Sequence, residues 1–445
     1  MASKRKDILL KPKSLSGSRR KLSLLCALPL ELIEAVASFL DVTDMCAFRL
    51  TCKTLQQETS SIFWRTALHN METDIFLGSL WKLQVISRNP QFNRCIQHLT
   101  IRAFDLNEII RGRKFLWERR GSDYLANLHN HPVVKQLCDI YCNLTNCTSI
   151  EIYSPTTEIL SEFLRGFYEP IDAIPIILEV ISQTGRPVTS LVLNFVREGC
   201  TDRYFPYPKC LPIPRESQLI AVGAYLEHLT LRYTHYYDIV HDWAVSLFRH
   251  SRNLRTLRLK SCEGFRGLSF FHSLAVLHVA WPELREFRLD STSTAVDDLI
   301  TVLRGSQQSL RVLRLYGSSI LSSKEDLQQL FQTLSTDFPM LQEVHFGELW
   351  SGMAMQNYVH FPGVLQNPAV GELQGSCFGF QTRYYERADR VSNVKYCGPN
   401  VAVALVFLAE AVDLLPKPPF RQRVRRNRRG PSSRWTAVPV IYLLE

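Results

Sequence analysis

Apolar residues recur along most of this chain in a six-residue template, apolar-x-x-apolar-x-apolar. It occurs at Ile96-Leu99-Ile101, Cys147-Ile150-Ile152, Val188-Leu191-Leu193, Leu226-Leu229-Leu231, Leu254-Leu257-Leu259, Leu284-Phe287-Leu289, Leu310-Leu313-Leu315 and Leu341-Val344-Phe346. The last two apolar positions are two apart, so both side chains fall on one face of a short strand, and the first anchors the turn that leads into it. From Leu226 the copies start 28, 30, 26 and 31 residues apart, whereas the earlier steps are 51, 41 and 38. Between the strands lie helix-compatible segments, among them Tyr237 to His250, Ala295 to Leu303 and Ser323 to Leu334. The last opens on Ser322-Ser323-Lys324-Glu325-Asp326, with cap candidates and acidic residues that favour a helix N-terminus. A unit of strand, loop, helix and return cannot bury its own face, so neighbours must stack. The pattern predicts an α/β array over residues 69–350 and leaves a non-repeating α/β layer as the alternative. Beyond Trp350 it stops. Phe378 to Tyr385 and Val391 to Tyr396 read as strands and Pro399 to Leu415 as a helix, within a capping region, 351–416, that shields the last apolar face.

Ahead of the array the period changes. Leu28, Leu32, Ile33, Val36, Phe39 and Leu40 form one stripe at helical spacing, with Pro29 expected in the first turn, where its missing N–H costs nothing. Asp41-Val42-Thr43-Asp44 supplies a break and an N-cap candidate for a second helix through Met45, Phe48 and Leu50, and a third reaches Leu55, Ile62 and Trp64. Three short helices cannot bury all those apolar faces among themselves.

The segment meets a pattern of Leu28-Pro29, Glu31-Leu32-Ile33, Phe39-Leu40-Asp41, Arg49-Leu50-Thr51-Cys52-Lys53 and Trp64. In this it resembles an F-box, the motif that docks onto the small adaptor subunit of cullin-based ubiquitin ligases. The resemblance implies a three-helix domain at 25–68 that binds the adaptor through Leu28, Pro29, Leu32, Ile33, Val36, Leu40, Leu50, Cys52, Leu55 and Trp64. It departs from the family where a bulky aromatic often follows the Cys-Lys pair, since this chain has Leu55 and the polar Gln56-Gln57. Without the resemblance, the segment reads as a helical hairpin capping a larger domain. Residues 95 to 350 in turn resemble leucine-rich repeats, although the consensus Asn or Cys after the strand survives clearly only at Cys262. Together these features are similar to F-box and leucine-rich-repeat-like proteins of the fungal type. The implied chain is an N-terminal F-box, a leucine-rich-repeat-like solenoid and a C-terminal cap, acting as substrate-recognition subunit of a cullin-RING (SCF-type) ligase.

Composition refines the picture. An apolar fraction of 46% and a charged fraction of 21% are those of a globular chain, and 445 residues without an obvious interior linker suit one elongated domain behind a small head. The formal charge of +10 is uneven: residues 1–21 carry +7 and residues 417–445 another +7, which leaves −4 for the body. The expected disordered basic tails, 1–24 and 417–445, hold Lys4-Arg5-Lys6, Arg19-Arg20-Lys21 and the run from Arg421 to Arg429, which suit either plain solvation or an import receptor. Neither interleaves aromatics for base stacking, which argues against direct nucleic-acid binding. A nuclear scaffold that binds nucleic acid or chromatin through these tails is the alternative function.

Twelve cysteines without a signal peptide point to reduced thiols, in the nucleus, the cytoplasm or both. Cys138, Cys142 and Cys147 with His129 and His131 lack paired Cys-x-x-Cys spacing and read as buried or incidental, so no metal or cofactor is expected. Asn143-Leu144-Thr145 fits a glycosylation acceptor that a chain outside the secretory pathway does not use. The apolar run Val401 to Ala409 is less than half a bilayer span and reads as a buried late helix, so no membrane partner is expected. No phosphate loop, His-Glu-x-x-His helix or Gly-x-Ser-x-Gly elbow is present, and His241-Asp242 has no adjacent nucleophile, so the chain is not expected to be an enzyme.

The residue between the last two apolar positions of each template faces solvent: Thr100, Glu151, Val192, Thr230, Arg258, Arg288, Arg314 and His345. Three arginines and a histidine would then stand in one column, where like charges opposite one another are destabilising. Either an acidic or phosphorylated client offsets them at Arg258, Arg288, Arg314 and His345, or Glu286, Asp290 and Glu343 already do so within the chain.

Overall fold

A computed structural model of the chain describes residues 24–102, 119–120, 124–125, 127–153, 172–194, 214–234, 238–262, 267–352, 356–362, 364, 377–380 and 391–416. The basic tails, the side chains of the His241-Asp242 pair and of Cys262, and positions 381–385 of the strand expected at 378–385 lie outside what is described. The chain divides into two compact units, Met1–His69 and Asn70–Glu445.

Among the described residues the first unit holds four α-helices rather than the expected three: α1 (Leu30–Ser38), α2 (Val42–Leu50), α3 (Lys53–Glu58) and α4 (Ser60–Ala67). Pro29 stands just outside α1 in an extended conformation, and the Asp41 carboxylate caps α2 by accepting from the Asp44 N–H at 2.8 Å. The extra break falls at Thr59, where the hydroxyls of Thr59 and Ser60 turn back onto the carbonyls of Leu55 and Gln56, each at 2.6 Å. Such back-bonding competes with the helical ladder and bends it. Ile33, Ala37, Met45, Leu55 and Thr59 are buried where α1 and α2 meet α3 and α4.

The second unit is a mixed α/β structure whose strands follow the chain. Its principal sheet begins with β1 (Asn70–Asp74) and β2 (His98–Arg102), and a separate small hairpin, β3 (Arg119–Arg120) with β4 (Tyr124–Leu125), follows. The sheet continues through β5 (Ser149–Tyr153), β6 (Ser190–Asn194), β7 (His228–Thr234), β8 (Thr256–Cys262) and β9 (Glu286–Asp290). A short strand, β10 (Ser293–Ala295), precedes β11 (Val312–Tyr316), and β12 (Ser319–Leu321) precedes β13 (Glu343–Gly347). Each principal strand pairs in parallel with its predecessor, so every connection must cross over through the helical layer.

That layer is α5 (Leu77–Arg88), α6 (Pro132–Asn143), α7 (Ala173–Thr184), α8 (Glu216–Gly223), α9 (Asp238–His250), α10 (Gly267–Val276), α11 (Val296–Arg304), α12 (Lys324–Asp337) and α13 (Val401–Ala411), each packed on the next. Ser323 and Asp326 close a reciprocal capping box at the start of α12.

All eight copies of the apolar template point into the space between sheet and helices, and the most accessible of these residues, Leu341, is 5% exposed. Burying a large aliphatic side chain to this degree stabilises by about 1.5–3 kcal/mol, and the same three positions contribute in every copy. A second regularity lies just before each strand. One carbonyl accepts two N–H groups from the next copy: Thr189 O from Glu227 and His228, Glu227 O from Arg255 and Thr256, Arg255 O from Arg285 and Glu286, and Arg285 O from Arg311 and Val312. The turn that leads into each strand is therefore hydrogen-bonded to the turn before it.

In the C-terminal copies the chain leaves the strand through a left-handed residue at equivalent positions, Ser291 (φ 55°), Gly317 (φ 60°) and Glu348 (φ 50°). That reversal starts a second sheet of β10, β12 and β14 (Trp350–Ser351), extended by β15 (Asn357–His360) and an edge strand, β18 (Asp413–Pro416). After β13 the direction changes. Antiparallel β17 (Asn393–Cys397) and β16 (Cys377–Phe380) finish the principal sheet, and the helix expected over Pro399 to Leu415 ends at Ala411 because β18 takes the remainder. No helix of the described residues is long and apolar enough to cross a membrane.

Candidate functional site: an apolar head surface and a charged strand column

On the first unit the candidate residues separate into two classes. Ile33 and Leu55, both in the expected adaptor contact, are fully buried inside the helical cluster and hold it together. Leu28, Pro29, Leu32, Val36 and Leu50 are exposed, while Leu40, Cys52 and Trp64 are half-buried. Cys52 caps α3, with its sulfur accepting from the Leu55 N–H at 3.5 Å. The most accessible apolar side chains among the described residues of the unit are Phe39 at 89% and Leu50 at 86% exposure, and Phe39, with Leu30 and Val42, is absent from the expected contact set. A helix stripe wide enough to cover both core and surface shows one periodicity, so spacing alone did not separate them. Arg49 ties α2 to the turn at Thr59: its guanidinium lies 4.2 Å from the centre of the Phe63 ring and donates to Ser60 Oγ at 3.4 Å. So many exposed large apolar side chains on one small unit mark a candidate interaction site.

In the second unit, register brings the predicted column together. Thr100, Glu151, Val192, Thr230, Arg258, Arg288, Arg314 and His345 are successive Cα partners across β2 to β13, and Glu72 and Lys395 extend the row at either end. The arginines are tied within the chain. Arg258 Nη2 meets Glu286 at 3.1 Å, Arg288 Nε donates to both oxygens of Asp290 at 3.1 and 2.9 Å, and Arg314 meets Glu343 at 2.9 Å and Glu286 at 3.9 Å. Lys395 also reaches Glu343, at 3.5 Å. Glu286 thus bridges Arg258 and Arg314, the arginines on the strands either side of its own. Burial, followed by the neighbouring Lys395 and Arg314 cations, holds the His345 imidazole below its ordinary range, so it adds no charge at neutral pH. Its ring lies 6.1 Å from that of Tyr316.

The cysteine cluster has a different character. Burial raises the Cys138 thiol to about 11 and the Cys147 thiol to about 12, which leaves both protonated and poor as ligands or nucleophiles. Among the described residues no group of three or more His, Cys, Asp and Glu side chains is placed to hold a metal ion. The Glu179 carboxylate, buried on α7, is held below the ordinary range against the opposing effect of desolvation by hydrogen bonds from Gln183, His129 and Gln218, and so ties α7 to the turn at His129 and to α8.

The chain matches no curated protein. Residues 25–69 match the family described as F-box-like, and this domain, covering the helical unit with its exposed Leu32, Phe39 and Leu50, supports an F-box protein with an adaptor-binding role in a ubiquitin ligase.

Proposed function

We propose that this chain is the substrate-recognition subunit of a cullin-RING ubiquitin ligase. The observation that carries the reading is the apolar surface of Leu28, Leu32, Val36, Phe39 and Leu50 on the F-box-like unit, which costs solubility unless a partner covers it. The second unit is read as a leucine-rich-repeat solenoid, on the strength of its chain-ordered parallel strands and repeated buried triplets. Its solvated strand face then receives a client protein with an acidic or phosphorylated segment. Geometry is the mechanism: a client held beside a charged ubiquitin carrier reacts at raised effective concentration, and no catalytic residue is required from this chain.

The test is co-purification with the ligase adaptor. Alanine at Leu28, Pro29 and Leu32 is expected to abolish adaptor binding while the body stays folded. Adaptor binding that survives the replacement, or never occurs with the unaltered chain, ends the reading.

A further inference from the structure

The charged face has a surplus that the described residues do not neutralise among themselves. Over the outward positions of β7, β8, β9, β11, β13 and β17 there are six cations, Arg232, Arg258, Lys260, Arg288, Arg314 and Lys395, against three acids, Glu286, Asp290 and Glu343. The acids are spent on Arg258, Arg288, Arg314 and Lys395. Arg232 and Lys260 have no ion pair among the described residues, and they are direct Cα partners on β7 and β8. Arg232 has Asn194 on its other side, and Lys260 has Asp290, whose two oxygens are both engaged by Arg288. Two like charges in register on adjacent strands, about 4.8 Å apart, destabilise the pair unless an anion lies between them. Arg258, two residues before Lys260 on the same face, engages Glu286 through Nη2 and borders the pair.

We infer that Arg232 and Lys260, flanked by Arg258, are the seat for a carboxylate- or phosphate-bearing segment of the client protein. The assignment rests on the receptor reading above and sharpens it. The anion is taken one step along the face from the Arg288–Arg314 stretch, whose guanidinium groups the chain already occupies. A guanidinium and an ammonium side by side suit one such group, the first by paired hydrogen bonds and the second as a compact charge.

A residue-resolved test uses the full chain with a ten-residue glutamate peptide and a carbodiimide, which joins a peptide carboxylate to a lysine amine it touches. Mass spectrometry then reads which lysines carry the adduct, so attachment at the basic tails is scored separately. Lys260 is expected to couple at least ~5-fold more than Lys395, which shares the face but is paired with Glu343. Arg232→Ser should lower coupling at Lys260 at least ~3-fold, and Arg314→Ser, whose partner Glu343 lies away from Lys260, should leave it unchanged. Equal coupling at Lys260 and Lys395, or indifference to Arg232→Ser, overturns the seat. So does stronger competition by a thymidine decanucleotide than by unlabelled peptide, which would assign the face to nucleic acid. Adaptor co-purification on the same preparations separates the two claims: adaptor loss with Lys260 coupling intact sinks the receptor reading alone, and the reverse sinks the seat alone.

Discussion

Replacing Glu286 by Gln removes the one negative charge that two arginines share while keeping the side chain's size. In the structure Glu286 Oε1 lies 3.1 Å from Arg258 Nη2 and 3.9 Å from Arg314 Nη1, and the Glu286 side chain is 21% exposed. At an effective dielectric of about 20, one such contact is worth roughly 4 kcal/mol of bare attraction. The arginines are partly solvated, and an exposed pair retains a net of only ~0–1 kcal/mol. Glu286 contacts two cations, and its loss leaves Arg258 without an ion pair among the described residues, beside Arg288 and Arg314, which keep Asp290 and Glu343, so a net loss of about 1–2 kcal/mol is expected at low salt. Native-state hydrogen exchange on β8, β9 and β11 reads this locally as a ~5- to 30-fold fall in protection. Raising salt from about 0.1 to 1 M shortens the screening length from ~10 to ~3 Å and should recover at least about half of the loss. Glu227→Gln, which breaks only the Arg255 pair at 2.7 Å, is the comparison and should cost no more than ~1 kcal/mol. A Glu286→Gln chain with unchanged protection, or a loss indifferent to salt, would refute the shared-charge account.

Three further outcomes follow from other contacts. The folded His345 takes up a proton less readily than the unfolded one, so its contribution is full above the ordinary histidine range and is lost as pH falls through it towards the depressed folded value. His345→Gln should therefore lose less stability than the unaltered chain between pH 7.5 and 5.5, as read from urea midpoints at about those two pH values. A Cβ added at Gly347 would lie 2.3 Å from Asn393 Oδ1 and 2.6 Å from the Tyr316 ring, so Gly347→Ala should destabilise the β13–β17 junction by ~1–3 kcal/mol, seen as a lowered melting temperature. Trp281 is fully buried, donates from Nε1 to the Phe248 carbonyl at 3.3 Å and stacks edge-on against that ring. Trp281→Ala should cost ~3–5 kcal/mol by denaturant unfolding, and Trp281→Phe distinctly less.

Sequence periodicity revealed the buried triplets because each places large aliphatic or aromatic side chains at one spacing, and parallel pairing then aligned Arg258, Arg288 and Arg314. Strand β1 escaped because Asn70, Glu72 and Asp74 dominate it and its inward positions are Met71 and Thr73 rather than two aliphatics. The second sheet escaped for a different reason: runs of two or three residues such as Trp350–Ser351 are too short to show alternation. Pairing of charges was only half legible. Glu286 is two residues from Arg288 in the chain, yet it reaches Arg258 and Arg314, because a neighbouring strand about 4.8 Å away is closer than a residue two positions along, about 6.6 Å away. Likewise, Ile33 and Leu32 adjoin in sequence but one is core and the other surface, a distinction that needs the positions of α3 and α4.

The central claim, that the F-box-like unit docks on a ligase adaptor through its exposed apolar surface, is tested most directly by the adaptor affinity of a Phe39→Ala, Leu50→Ala double variant beside that of Ile33→Val. Phe39 and Leu50 are 89% and 86% exposed, so their removal should leave the melting temperature unchanged. If docking buries both, it should weaken adaptor binding by about 3 kcal/mol or more, roughly 100-fold in Kd. Ile33→Val should instead lower the melting temperature and spare the affinity of the folded fraction. An unaltered chain that does not bind the adaptor, or a double variant that binds it as tightly, would contradict the account.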